Sequence, residues 1–274
     1  MANKAYKFQR IHWFEFEDLD WIPSWIKSSI TNLVVIVNFH FGVHKSLPLV
    51  LKKALEMSHK KRIVDMGSGA GGVMPEIMRK MHNSGKYKDI SLLMTDRFPN
   101  IDAIKKFNNQ KETFIQYSDK PLDALNLSNA PDGLNTMINC FHHLTPEQAS
   151  QLLSSASKNK EPLLVYEMLD NNIPAWLWKY TMPFFLVALF FMALYMTPFV
   201  RPLSFRQIIF TYFVPVIPVL FAWDAWISKP RVYTQNDIKH LLSNLSNKDY
   251  KWSYNINKTE KGRKQGSYIL GLPK

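Results

Sequence analysis

The chain has 274 residues, 46% of them hydrophobic and 20% charged, which is enough for a sizeable core and excludes both a disordered chain and a stapled mini-protein. The single cysteine, Cys140, excludes an intrachain disulfide framework and a thiolate zinc cage. Thirty-four Lys and Arg against 22 Asp and Glu give a formal charge of +12, which draws the chain toward nucleic acid or acidic lipid; an aromatic share of 14%, much of it outside strand-like segments, tips the balance toward a membrane surface.

The first twenty residues mix basic and acidic side chains and lack the apolar run and small-residue cleavage site of a signal peptide, so a mature, cytoplasmic amino terminus is expected. WFEFEDLDWIPSW then offers two readings: a lid over a ligand, with Glu15, Asp18 and Asp20 touching an acceptor and Trp13, Trp21 and Trp25 facing lipid, or a solvated acidic turn. Residues 21–58 read as a helical lead-in starting near Pro23, although the run from Leu33 to Val37 also fits a buried strand. RIVDMGSGAGG is a short apolar strand ending in a glycine turn, with a helix from Val73 to Met81 behind it.

That unit repeats in kind. ISLLMTD, TFIQYSD, LNTMINC and EPLLVYE read as further strands, with IDAIKKFNN and PEQASQLLSSA as helices between them, an alternation that predicts a parallel sheet with right-handed crossovers. After Glu167 the chain changes character: Tyr180 to Val200 is 21 residues without a charge, trimmed by Pro183 and Pro198, and Gln207 to Trp223 is 17 more, broken by Pro215 and Pro218. Trp176, Trp178 and Tyr180 on one side and Trp223 and Trp226 on the other sit where amphipathic rings meet headgroups. A full hairpin would carry Arg201 and Arg206 across the bilayer against the usual bias of basic loops, so a monotopic or re-entrant insertion on the cytoplasmic face is expected, touching the membrane through residues 176–227. The alternative is a pair of buried core helices. TQNDIKHLLSNL, capped by Thr234, reads as a last helix, and YKWSYNI and GSYILGL as an antiparallel pair around the turn EKGRKQG. The expected divisions are a lead-in or lid (1–60), an α/β core (61–170), the apolar insertion (171–228) and the last helix with the closing strands (229–274).

Gly67, Gly69, Gly71 and Gly72 fall where the first strand meets its helix, the edge at which open α/β sheets bind ligands. Gly67-x-Gly69-x-x-Gly72 also satisfies the dinucleotide fingerprint, so a soluble NAD-dependent oxidoreductase stays open. Asp65 argues against it, because a carboxylate there suits a cationic amino group and repels a pyrophosphate. Asp96, closing the second strand, could bind two ribose hydroxyls under either reading.

With VDMGSGAGG at 64–72, LLMTD at 92–96, Ser118-Asp119 and MINCFHHLTPEQ at 137–148, the sequence resembles the class I S-adenosylmethionine-dependent methyltransferases over about residues 62–170 and again over 231–272. The resemblance implies a Rossmann-like class I methyltransferase sheet with a closing antiparallel hairpin. It also implies S-adenosyl-L-methionine as cofactor: Asp65, Gly67, Ser68, Gly69 and Gly71 at the methionine portion, Asp96 at the ribose, and Ser118 or Asp119 at the adenine edge, with Asp123 an alternative. Asn139 and Cys140 would lie near the cofactor. The insertion after strand five departs from the family pattern and points to a membrane-associated branch with a hydrophobic or lipid-linked acceptor. A hydroxyl acceptor would need its proton removed, and His143, then His142, are first choices as base or acceptor-orienting group; Glu167 and Asp170 could orient an acceptor. Cys140 has no adjacent base and reads as packing or a cofactor contact. No metal is expected, since adjacent histidines are not the i,i+4 pair of a helical zinc site. The basic stretches Lys45–Arg62 and Lys258–Lys264 could lie against anionic headgroups. Nucleic acid is not an expected partner, because no base-reading module is present. A tethered module that binds cofactor without turnover is the remaining alternative.

Overall fold

The lead-in is helical. Residues Ser24–His40 (α1) and Val43–Ser58 (α2) meet at an angle of 86°, joined through Gly42, whose φ of +78° gives the left-handed link that a side chain disfavours. The computed structural model describes residues 6–245, 247–259 and 262–274, so the expected turn EKGRKQG and the second basic stretch lie partly outside the described residues.

The α/β core follows as β1 (Arg62–Met66), α3 (Met74–Asn83), β2 (Ser91–Thr95), α4 (Ile101–Asn108), β3 (Ile115–Tyr117), β4 (Leu134–Ile138), α5 (Pro146–Asn159) and β5 (Leu163–Glu167). α5 begins with a capping box, in which the Thr145 side chain accepts from Gln148 N while the Gln148 side chain accepts from Thr145 N. Five parallel strands are ordered β3-β2-β1-β4-β5. The chain then leaves the sheet and returns through α9 (Gln235–Ser243), capped by Thr234, to β6 (Tyr250–Lys258) and β7 (Lys264–Pro273). β7 slots antiparallel between β5 and β6, giving β3-β2-β1-β4-β5-β7-β6. This is the sheet that the sequence predicts, closing antiparallel pair included.

The sheet separates two apolar layers. One packs α2, α3 and α4 around residues such as Leu47, Leu51, Ile77 and Met78; the other packs α5 and α9 around Leu152, Leu153, Val165 and Ile238. The insertion is α6 (Ala175–Met196), α7 (Phe205–Ile208), a π turn over Ile209–Phe213, and α8 (Val216–Arg231). One expectation needs correcting and one holds in part. α6 begins at Ala175 and runs through Pro183, because a proline here removes a single intrahelical hydrogen bond without ending the helix. The second apolar run breaks where Pro215 was expected to break it, after Phe213, and its halves cross at 83°, whereas Pro218 sits in the first turn of α8 and interrupts nothing. Trp176–Phe199, of mean hydropathy 1.9, is long and apolar enough to cross a membrane, and its most apolar window is only 17% buried.

A third cluster places the insertion. Ile26, Ile30 and Leu33 of α1 pack with Ala193 and Met196 of α6 and with Ile217, Leu220 and Phe221 of α8. The lead-in therefore divides, α1 going to the apolar insertion and α2 to the sheet.

Candidate functional site

At the carboxyl edge of the parallel strands lies a cleft of about 1080 Å³. Its floor is the loop after β1, where Gly67, Gly69, Gly71 and Gly72 all have positive φ. Only two of these positions need argument. A Cβ on Gly71 would stand 2.6 Å from the Phe107 ring, so packing forbids it; a Cβ on Gly69 would meet no protein atom within 4 Å, so the backbone there is open to a ligand.

The acids expected at the floor are both there. Asp65 is buried beneath the loop, its Oδ2 accepting from Ser68 Oγ at 2.7 Å and its Oδ1 from Thr136 Oγ1 at 2.8 Å. Burial pushes its carboxyl up to about 6, against the two hydroxyl bonds, which pull it down, and with help from Asp96. Asp96 fixes the loop: its Oδ2 accepts from Gly69 N at 2.9 Å and its Oδ1 from Phe98 N at 2.8 Å. Both carboxylates keep free lone pairs.

Asn139 and Cys140 also line the cleft. Asn139 has φ +55°, a left-handed conformation that asparagine tolerates, and its side chain ties three elements together. Its Oδ1 accepts from Met168 N at 2.8 Å and its Nδ2 donates to Asn38 of α1 at 3.1 Å. The Cys140 thiol packs where Gly67 leaves room, and burial together with Asp65, Glu167 and Asp96 drives its pKa up, which leaves it unreactive. Ser118 and Asp119 do not line the cleft. Ser118 Oγ closes its own turn by accepting from Lys120 N at 3.1 Å, Asp119 is exposed, and the wall here is Leu122–Leu125, including Asp123.

The remaining wall is built from α1 and the acidic lead-in. Ser24, Lys27, Ser28, Thr31, Val35 and Asn38 recur at helical spacing and turn one face of α1 to the cleft. Glu17, Asp18 and Asp20 line it too, held in place by Asp224 of α8, whose carboxylate accepts from Phe16 N at 2.7 Å and Glu17 N at 3.2 Å. Glu15 is buried just behind them.

Of the two histidines only His143 lines the cleft. Its Nδ1 stands 2.7 Å from Asp18 Oδ1 and its Nε2 3.6 Å from Glu15 Oε2. Burial alone would lower its pKa, but the two carboxylates overcome that and raise it to about 9. An imidazole held protonated in this way is not a waiting base; of the two roles expected of it, orienting an acceptor is the one that fits. Asp18 is raised by burial yet held well below the ordinary carboxylate range by His143 and Arg231. His142 is buried behind His143, its Nδ1 2.9 Å from Glu167 Oε2, and Glu167 Oε1 also accepts from His142 N at 3.0 Å. Glu167 thus holds a histidine and does not face the cleft. Asp170 pairs with Lys264 at 2.7 Å, away from it.

Sequence reasoning missed Glu17, Asp224 and Arg231. Burial, together with Glu15, raises Glu17 to about 7 against the pull of His143. Arg231 is fully buried, its NH1 2.6 Å from Asp18 Oδ2 and 3.3 Å from Glu15 Oε1. The available signal was a lone Asp and an Arg in or beside an apolar run, where ionisable groups are costly without partners.

The sequence matches no protein-family model and no curated protein. Among solved structures it is similar to the methyltransferase domain of bacterial CtHen1 (9% identity, TM-score 0.48, covering 84% of this chain and 98% of that one). It is also similar to human N-acetylserotonin methyltransferase in complex with SAM (15%, 0.43, 85% and 55%) and to the mitomycin 7-O-methyltransferase MmcR (12%, 0.43, 82% and 54%). The chain spans about half the length of the last two. At such values likeness assigns no activity. The strand order and the antiparallel β7 by themselves make the fold a class I methyltransferase-type, Rossmann-like sheet, with an apolar helical insertion after β5.

Proposed function

We propose that the protein transfers a methyl group from S-adenosyl-L-methionine to a small hydrophobic or lipid-linked acceptor at a membrane surface. The observation that carries the reading is the double use of α1, one face of which lines the cleft while the other packs on the apolar insertion. A cleft with that wall adjoins whatever the insertion is buried in.

The floor fits the cofactor. Asp65 offers a buried carboxylate for the methionine ammonium, the open backbone at Gly69 admits a close ligand, and Asp96 has lone pairs for ribose hydroxyls. When bound, the cofactor supplies both the methyl group and its own leaving group, so alignment of the acceptor is the protein's main task. The acceptor half of the cleft falls to α1, to the lead-in from Glu17 to Asp20, and to His143. Phe98 and Ile101, exposed at its rim, favour an apolar acceptor.

Membrane contact draws on the insertion's surface, where Trp176, Tyr180, Phe184, Phe191, Tyr195, Phe205 and Phe213 are all exposed, bare aromatic rings that suit an apolar or interfacial setting better than water. The second arm folds back along α1 through the Trp25–Phe210 ring contact at 4.8 Å, and Arg206 lies over Trp25. That course supports a monotopic or re-entrant seat on the cytoplasmic face. Release from membranes by alkaline carbonate agrees with it, and retention until detergent is added refutes it.

NAD is the weaker fit for this cleft. Asp65 lies beneath the glycine loop where a pyrophosphate would be repelled, and the sheet of the dinucleotide fold is ordinarily parallel throughout. Calorimetry with both cofactors, followed by transfer of labelled methyl from S-adenosylmethionine to lipid extracts, tests the proposal. Binding of NAD in place of S-adenosylmethionine overturns it, and binding without transfer to any extract reduces it to a tethered binding module.

A further inference from the structure

Glu15 reaches two histidines 127 and 128 positions further along the chain, and what they form goes beyond methyl transfer. One ligand atom from each of Glu15, His142 and His143 lies within 4.8 Å of the other two. The Nε2 atoms face one carboxylate, His142 at 3.8 Å from Oε1 and His143 at 3.6 Å from Oε2. Each histidine carries a carboxylate on its other nitrogen, Glu167 for His142 and Asp18 for His143. That is the backing that orients metal-bound imidazoles and fixes which nitrogen is left to the ion.

A second observation is independent of this clustering. Glu15 is 1% exposed, yet its Oε1 has no hydrogen-bond partner. Arg231 NH1 at 3.3 Å provides an ion contact without hydrogen-bond geometry. A buried carboxylate oxygen with no hydrogen-bond donor is costly and keeps its lone pairs open to a metal ion.

We propose that Glu15, His142 and His143 form a binding site for a divalent first-row transition-metal ion. Two imidazoles and a carboxylate are the donor set that such ions share, with the remaining positions left open. Bonds of about 2.1 Å put neighbouring ligand atoms about 3 to 3.5 Å apart, so the Glu15 side chain and the imidazoles, now within 4.8 Å of one another, close in by up to about 1.5 Å. Of the three ligands only His143 lines the cleft, so an acceptor's oxygen would reach the ion from that side. The ion would take a hydroxyl or carboxylate oxygen and favour its anionic form.

The test uses the untagged full chain in detergent, stripped with a chelator and titrated with Co²⁺. One equivalent is expected to bind, with visible d–d bands and pulsed electron paramagnetic resonance coupling to two imidazole nitrogens. Glu15→Gln and His143→Gln should each weaken binding at least tenfold, while His240→Gln, a histidine stacked on Tyr6 far along the chain, should leave it unchanged. Absence of a stoichiometric site, coupling to fewer than two imidazoles, or unchanged affinity in Glu15→Gln would overturn the proposal. The nitrogen coupling is read on the unaltered chain, so a variant that fails to fold does not remove the test. No acceptor is involved, and failure leaves the methyltransferase reading standing.

Discussion

Asp65→Asn should move stability and cofactor affinity in opposite directions. The Asp65 carboxyl is 4% exposed and titrates near 6 in the folded protein, against about 3.9 in an unfolded chain. Between those values the folded state keeps a proton that the unfolded state has shed, so this group's contribution to stability falls as pH rises from about 4 to about 6 and is level above that. At pH 7.5 the ionised form costs the cofactor-free protein about 3 kcal/mol. Asparagine removes that cost while keeping the local bonds: Thr136 still donates to Oδ1, and Ser68 Oγ, which also bonds Asp65 O at 2.9 Å, can accept from the new amide. The variant should therefore melt about 6 °C higher at pH 7.5 and no higher at pH 4. Affinity for S-adenosylmethionine should fall about 10- to 100-fold with loss of the charge-assisted contact to the ammonium group. In the unaltered protein affinity should weaken as pH drops below about 6, and in Asp65→Asn that dependence should disappear. Scanning calorimetry with and without cofactor across this pH range reads both quantities. A variant that binds as tightly as the unaltered protein, or melts lower at pH 7.5, refutes the assignment of Asp65 to the cofactor's amino group.

The two glycines that differ in surroundings give a paired test. Gly71→Ala drives a Cβ into Phe107 and should cost about 3 kcal/mol of stability by denaturant titration, whereas Gly69→Ala should cost about 1 kcal/mol and lower cofactor affinity about tenfold or more. Phe184→Glu with Phe213→Glu, both exposed on the insertion, should weaken sedimentation with anionic vesicles at least tenfold and leave the circular dichroism spectrum unchanged. Asp224→Ala unties Phe16 N and Glu17 N and should speed amide hydrogen exchange over residues 13–20 while costing about 2 kcal/mol. His143→Ala should lower turnover about 100-fold, by loss of acceptor alignment, with cofactor affinity within threefold; unchanged turnover removes His143 from the site.

The core was readable because its signals are local. An apolar strand, a glycine turn and a helix each declare themselves over a few residues, and the acids at the strand ends, Asp65 and Asp96, sit at fixed distances from that turn. Ser118-Asp119 shows the limit of such local signals, since position after β3 could not reveal that Ser118 closes its own turn while Leu122–Leu125, with the alternative Asp123, line the cleft. Everything on the acceptor side is non-local. Glu15 meets His142 and His143 behind the cleft wall, Asp224 on the insertion ties down Phe16 and Glu17, and Asn139 reaches back to Asn38. No periodicity or spacing encodes such encounters, and adjacent histidines gave no hint that a glutamate from the lead-in lies between them.

This non-local half follows physically from the insertion. An apolar arm leaving the sheet after β5 must bury part of its surface, and α1 supplies the partner through Ile26, Ile30 and Leu33. Once α1 is held there, its opposite face, spaced by the helical repeat, can only look into the crevice above the glycine loop. The acidic segment preceding α1 is then drawn across the strand ends, where Asp224 and Arg231 of α8 meet it. The proposed membrane seat and the proposed acceptor site are in this way one packing problem. A change that detaches α1 from α8 should open the cleft as it loosens the insertion: Ile30→Asp, which buries an unpaired charge at a position 1% exposed, is expected to cost several kcal/mol and to abolish vesicle binding and acceptor methylation together. Loss of one with full retention of the other would separate two functions that the packing of α1 makes inseparable.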